Sequence, residues 1–223
     1  MKRLHLPSYR VGEAARYAHI GAGTIRSWQK MRGGKPAAAT ARDKGAALSY
    51  LQLIEVAVIA ACRKAGMTLS AVRDARNYVS RELSTDYPFA VYQFATDGKR
   101  LLWQGSWGDS HDSRRWLSAN ENGQAAWDEV IGRTLRSFEY ERDLAVTWRP
   151  EGEGSPILID PRIAFGSPNV NGIPTSVFRQ RWLSGEPIGE TAADFGVRVA
   201  LVRNALQFED IDPDAPQPNP WLH

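Results

Sequence analysis

Tyr9-Arg10-Val11-Gly12-Glu13-Ala14-Ala15-Arg16-Tyr17-Ala18-His19-Ile20-Gly21-Ala22-Gly23-Thr24-Ile25-Arg26-Ser27-Trp28 is the stretch on which the fold turns. Val11, Ala14, Ala15 and Ala18 make an apolar stripe at helical spacing, so Val11–Tyr17 is predicted to be a helix. Ala15 is small where a second helix must cross closely. Ile20-Gly21-Ala22-Gly23 reads as the turn, with Gly21 free to take positive φ. A second helix is predicted over Thr24–Lys30, with Ile25 and Trp28 inward and Arg26, Ser27 and Lys30 outward. Two short helices about a small-residue turn form a helix-turn-helix, which reads DNA through the major groove. Arg26 is the leading contact, because its planar fork suits both base edges and phosphates. Thr24, Ser27 and Lys30 are its neighbours, and Arg16 is placed on phosphates.

Charge works outward from this motif. Residues 1–80 hold 14 Lys/Arg against 4 Asp/Glu, a net charge of +10. Residues 81–223 hold 14 against 21, a net charge of −7. The overall +3 therefore hides a basic head on an acidic remainder. Such asymmetry implies a polyanion-binding module joined to something that meets another partner.

Met31–Ala47 is rich in Gly, Ala, Lys and Arg and poor in large apolar residues. Two readings stay open for it. It is a basic wing carrying Arg32, Lys35, Arg42 and Lys44 to phosphates or the minor groove, or it is a solvated loop. Ser49 is placed to cap an apolar helix of Leu51, Leu53, Ile54, Val56, Ala57, Val58 and Ile59 that closes near Gly66. Thr68-Leu69-Ser70 opens another, with Val72, Ala75, Val79 and Leu83 on one face and Arg73, Arg76 and Arg81 off it. That face is either core or a dimer seam.

The middle changes character. Phe89–Phe94 and Arg100–Trp103 read as strands about Asp97-Gly98, a strong hairpin signal. Gln124–Leu135 has helical spacing. Phe138–Glu141 and Leu144–Trp148 read as a second hairpin about Arg142-Asp143, and Ile157–Ile159 as a last short strand. Trp103, Trp107, Trp116, Trp127 and Trp148 either fill this sheet or anchor a partner. Three helices follow, over Val177–Leu183, Ile188–Gly196 and Arg198–Phe208, in a second helix-turn-helix shape with Arg203 on its last helix. Asp210–His223, with four prolines and three aspartates, reads as an extended, poorly ordered tail. The expected class is α+β. The predicted layout is a winged helix-turn-helix over 1–86, a small antiparallel sheet with one helix over 87–156, a three-helix domain over 157–209 and the tail over 210–223.

The first 75 residues or so resemble the MerR family. The match runs from Tyr9 through Gly12-Glu13-Ala14 to Thr24-Ile25-Arg26 and an aromatic. It continues through Ser49, Leu53-Ile54 and Lys64-Ala65-Gly66-Met67-Thr68-Leu69-Ser70. The family's Arg-x-Tyr before the capping serine is replaced here by Ala46-Ala47-Leu48, and its long effector coiled coil is missing. Residues Ile159 to Glu209 resemble a small bacterial domain found in antitoxins. The residues that carry this are Asp160-Pro161-Arg162, Phe165-Gly166-x-Pro168, Gly172-Ile173-Pro174-Thr175, Ser184-Gly185-Glu186 and Ala205-Leu206. The order of parts resembles the large VapB-type antitoxins, which implies a cognate toxin, a PIN-like ribonuclease, as partner. It also implies autorepression at the chain's own operator. The alternative is a stand-alone MerR-like regulator whose middle region senses an organic ligand.

Other chemistries find little footing. Asp109-Ser110-His111-Asp112 has triad residue types, but a triad assembles in space and not as chain neighbours. His5, His19, His111 and His223 lack second ligands at metal-site spacing, so no metal and no cofactor are expected. Glu139, Glu141 and Asp143 could pair as acid and base, yet Glu139 and Glu141 alternate as the wet face of a strand does. Cys62 sits in an apolar run and is expected to be buried and inert. No apolar run approaches a membrane span, and Met1–Pro7 lacks a secretory apolar stretch. The expected partners are therefore double-stranded DNA, the toxin and a second copy of the chain, since paired half-sites compensate for one short recognition helix. The expected place is the cytoplasm, with no enzymatic activity and no membrane contact.

Overall fold

The computed structural model describes residues 2–32, 35–36, 38–41, 43, 45–92 and 130–217, without side chains over 31–37. The chain divides into two compact units, residues 1–148 and 149–223. It mixes helices with small antiparallel ladders, an α+β architecture. No helix among the described residues is long and apolar enough to cross a membrane.

The first unit is organised around one helix. Helix α1 spans Val11–Tyr17 and α2 spans Ala22–Trp28. The short strands β1 (Met31–Arg32) and β2 (Lys35–Pro36) pair antiparallel. Helix α3 (Tyr50–Lys64) is buried on almost every side, from Tyr50 to Cys62, as a helix apolar all round must be. It touches the opening turn Lys2–His5, α4 (Leu69–Glu82), Pro88–Ala90, α5 (Gly132–Arg136) and the strand Leu144–Trp148. Ser49 caps α3 reciprocally: its Oγ accepts from the Gln52 N–H and its own N–H donates to Gln52 Oε1. Thr68 Oγ1 caps α4 by accepting from the Ala71 N–H. Such caps are each worth about 1 kcal/mol.

The unit ends in a hairpin of β3 (Phe138–Glu141) and β4 (Leu144–Trp148), with a bulge between Glu139 and Tyr140. This is the hairpin expected about Arg142-Asp143, and both turn residues take positive φ. The Phe89–Phe94 strand is not formed over its described part: Pro88–Ala90 is a 3-10 turn and Val91 makes a single bridge to Leu144. Proline at the first position, with its fixed φ and missing N–H, favours the turn. The Asp97-Gly98 hairpin and all but the end of the Gln124–Leu135 helix lie outside the described residues.

In the second unit, β5 (Asn169–Val170) and β6 (Ile173–Pro174) pair and lead into α6 (Thr175–Leu183), α7 (Ile188–Asp194) and α8 (Val199–Phe208). Their core is Ile157, Val170, Phe178, Trp182, Ala192, Val202, Ala205 and Leu206. The Ile157–Ile159 strand reduces to one bridge, Leu158 to Asn169. Helix α6 starts at Thr175, two residues before the sequence expectation. Pro174, at φ −55° and ψ 137°, delivers an extended entry immediately before Thr175. The stretch after α8 is not a loose tail over its described part. Ile211 packs on the core, Asp214 forms an ion pair with Arg203, and the Gln217 side chain donates to the Glu186 carbonyl. Composition predicted disorder here. Long-range partners that composition does not register fix residues 210–217 instead.

Candidate nucleic-acid interface

Helices α1 and α2 pack through Ala14, Ala15, Tyr17, Ile25 and Trp28, all buried. The turn between them lies slightly earlier than the sequence suggests. His19, not Gly21, takes the left-handed conformation, at φ 52°. Gly21 is extended at φ −73° and serves as the cap of α2, so the helix begins at Ala22 and closes at Trp28. The shift has a hydrogen-bond cause. The Ile20 N–H reaches back to the Ala15 carbonyl to close α1, and the Thr24 N–H donates to Gly21.

The outward face of α2 is as expected in register. Gly23, Arg26 and Ser27 recur at i, i+3 and i+4 and are exposed, and Thr24 is half-buried; Lys30, expected on the helix, is exposed just past its end at Trp28. A Cβ at Gly23 would meet nothing within 4 Å, so a surface can approach this stripe to backbone distance. Arg16 is half-buried, its guanidinium 5.1 Å from the Tyr17 ring centroid. Arg32 and Lys35 face each other in register across β1 and β2. Arg42 and Lys44 lie outside the described residues.

Behind the stripe is a polar knot that sequence reasoning missed. The segment after β2 is not simply solvated: Ala38 and Ala39 are buried, and both N–H groups donate to the Trp28 carbonyl. Gln29 Nε2 donates to the Thr40 carbonyl at 3.1 Å and Gln52 Nε2 to the Ala41 carbonyl at 2.7 Å. Arg76, expected off the packed face of α4, is instead buried. Its Nε donates to Glu55 Oε2 at 2.7 Å and its terminal nitrogen to Thr40 Oγ1 at 2.6 Å and to the Asp86 carbonyl. The other Glu55 oxygen accepts from the Phe89 N–H. Burial pushes the Glu55 carboxyl above the usual carboxylate range, and the Arg76 charge and Phe89 N–H oppose that. The knot ties the segment leaving the hairpin to α2, α3, α4 and the chain at 86–89. The readable signal was a single acid inside the apolar run 51–62, since a buried charge requires a partner.

Chemistry of other kinds stays thin among the described residues. No group of three His, Cys, Asp or Glu could hold a metal. Glu139, Glu141 and Asp143 are exposed at the hairpin, and Asp109–Asp112 lie outside the described residues. The Cys62 thiol is fully buried and pushed up to about 12 by burial. In the second helix-turn-helix shape, Arg203 is held by Asp214 of its own chain. The second unit carries six Lys/Arg against ten Asp/Glu, a net charge of −4.

Residues 9–78 match the family model described as MerR HTH family regulatory protein. The first unit carries a MerR-family helix-turn-helix. Its α1, α2, β1–β2, α3 and most of α4 lie inside the match. Over nearly its whole length the chain is also similar to a protein of Mycobacterium tuberculosis described as putative antitoxin VapB45. The two are 24% identical, over 92% of this chain and 94% of that one. The fold resembles that of the crystal structure of Rv2018, also from Mycobacterium tuberculosis. The TM-score is 0.72 at 21% identity, covering 90% of this chain and 98% of the other.

Proposed function

We propose that this chain is a DNA-binding antitoxin: it holds a cognate toxin and binds the promoter of its own operon as a repressor. One observation carries the reading. A MerR-type reader is joined to an acidic second unit, in a chain that aligns over 92% of its length with a protein described as a putative antitoxin. The MerR-type unit supplies the DNA half. On α2, Arg26 contacts a base edge or phosphate, with Ser27, Lys30 and Thr24 beside it. Arg16, the hairpin cations Arg32 and Lys35, and Arg42 and Lys44 further along the chain meet phosphates. Two copies bind two half-sites, because a stripe of three exposed positions on one seven-residue helix spans few base pairs. The toxin is a ribonuclease of PIN-like type, and the chain neutralises it in the cytoplasm by binding rather than by catalysis.

The test is co-expression with the product of the adjacent reading frame, scoring growth and co-purification, with anisotropy of labelled promoter DNA in parallel. Rescue of a toxic neighbour in a stable complex, with salt-sensitive promoter binding, is the expected result. A harmless neighbour and no complex would overturn the antitoxin reading, leaving a regulator whose DNA half stands alone.

A further inference from the structure

One side chain in the second unit is presented to solvent at the expense of its backbone. Phe165 is 95% exposed. It sits in a run of three left-handed residues: Ala164 at φ 46°, Phe165 at φ 56° and Gly166 at φ 83°. Glycine adopts this region freely, whereas alanine and phenylalanine are disfavoured there. Burying a phenylalanine is ordinarily one of the larger gains open to a chain. This loop forgoes that gain and bears two strained residues.

The loop is nevertheless rigid. The mutual N–H to carbonyl bonds of Leu158 and Asn169 close its base, both at 2.9 Å. Asn169, itself buried, adds a side-chain bond to the Leu158 carbonyl at 2.8 Å. Inside the loop, the buried Asp160 carboxylate accepts from the Arg162 N–H at 2.7 Å and from its guanidinium through both oxygens. The Gly166 N–H donates to Ile163 at 2.8 Å and the Ser167 N–H to Ala164 at 3.1 Å. Strain held by an over-determined frame marks functional presentation. A preorganised aromatic is the side chain that most often anchors a protein interface.

We infer that Phe165 is the anchor by which the second unit docks the toxin, its ring entering an apolar socket on that protein. This deepens the antitoxin reading and rests on it. Charge selects the occupant. At −4, this unit repels nucleic acid, so stacking on a base is disfavoured. A second copy of the unit would bring another −4 against it. A ribonuclease must bind a polyanion and so presents cationic surface, which suits an aromatic anchor carried on a unit of net charge −4.

The test uses the full chain and the product of the adjacent toxin gene. With Phe165 replaced by p-benzoylphenylalanine, irradiation of the complex is expected to crosslink position 165 to the toxin. Phe165→Gly is expected to weaken the complex about thirtyfold or more. Glycine suits φ 56°, so the thermal midpoint should hold or rise, and promoter binding should not change. A crosslink to a second copy or within the same chain would overturn the inference. So would a Phe165→Gly chain that holds the toxin as tightly as wild type, and the antitoxin reading would survive both. A wild-type chain that never holds the toxin would remove the reading and the inference together.

Discussion

The molecule contains the helix-turn-helix shape twice, at α1–α2 and at α7–α8, and the two copies differ in what the outer helix carries. On α2 the outward positions at one-turn spacing are Gly23, Arg26 and Ser27, all exposed, with the exposed Lys30 just past the helix end. On α8 the corresponding cation, Arg203, is paired with Asp214, and the surrounding unit is net −4. Packing is alike in kind: small and aromatic residues are buried at Ala14, Ala15 and Trp28 in one, and at Ala192 and Ala205 with Phe178 of the preceding α6 in the other. Shape is common to the two, and what separates them is the outer helix's arginine, which in the second has Asp214 as its partner.

The largest effect that would set the units apart lies behind the first of them. Glu55 is fully buried, and the Arg76 side chain is 9% exposed against it. Arg76→Met removes one partner and leaves a carboxylate buried, which costs about 3–5 kcal/mol. In urea, the unfolding transition of the first unit should move to much lower concentration while that of the second stays in place. Arg81→Ala, exposed on the same helix, should change stability by under about 0.5 kcal/mol. Equal, small shifts for both variants would mean that the knot is not holding the unit together.

The knot also marks where sequence reading stopped. Ala14, Ala15, Ile25 and Trp28 were legible because burial on a helix repeats with its period. Ser49 and Thr68 were legible because capping is local. Arg76 was not: next to Ala75, it falls at the margin of the Val72, Ala75, Val79 stripe, and its partner is 21 residues away. Residues 210–217 were misread for the same reason, since their order comes from Arg203, Glu186 and the core. The exposed stripe on α2 was readable as a face. The clamp that positions the segment beside it, from Gln29, Gln52 and Arg76 onto 40–41, is tertiary and left no periodic trace.

The next effect bears directly on the two outer helices. Arg26→Ala should weaken promoter binding by about 1–3 kcal/mol if the guanidinium reads a base. If it meets a phosphate instead, the slope of log K against log salt should drop by about 0.9. Arg203→Ala should leave both affinity and slope unchanged. A loss at Arg203 equal to that at Arg26 would make the second motif a DNA reader too and end the contrast. Smaller again is the cap of the central helix: Ser49→Ala should lower the first unit's stability by about 1 kcal/mol, read as a shift of its urea midpoint with unchanged slope.

The smallest effect concerns acid and the second unit. Arg181 donates to Glu186 at 2.5 Å and to Asp194 at 3.2 Å, and Thr191 Oγ1 donates to the other Glu186 oxygen at 2.9 Å. The Arg181 hydrogen bond is the main reason the Glu186 carboxyl lies below its ordinary value of 4.5. A carboxyl lowered in the folded state stabilises it above the unfolded value, and that contribution disappears as pH falls through the folded value. Glu186→Gln keeps the shape and removes the charge. Its thermal midpoint for the second unit should sit slightly below wild type at pH 7, and the gap should close as pH drops below 4.5. The pair is half-buried, so added salt should narrow the gap at neutral pH only in part. A gap constant from neutral to acid pH would locate the role of Glu186 in the shape of its side chain and not in its charge.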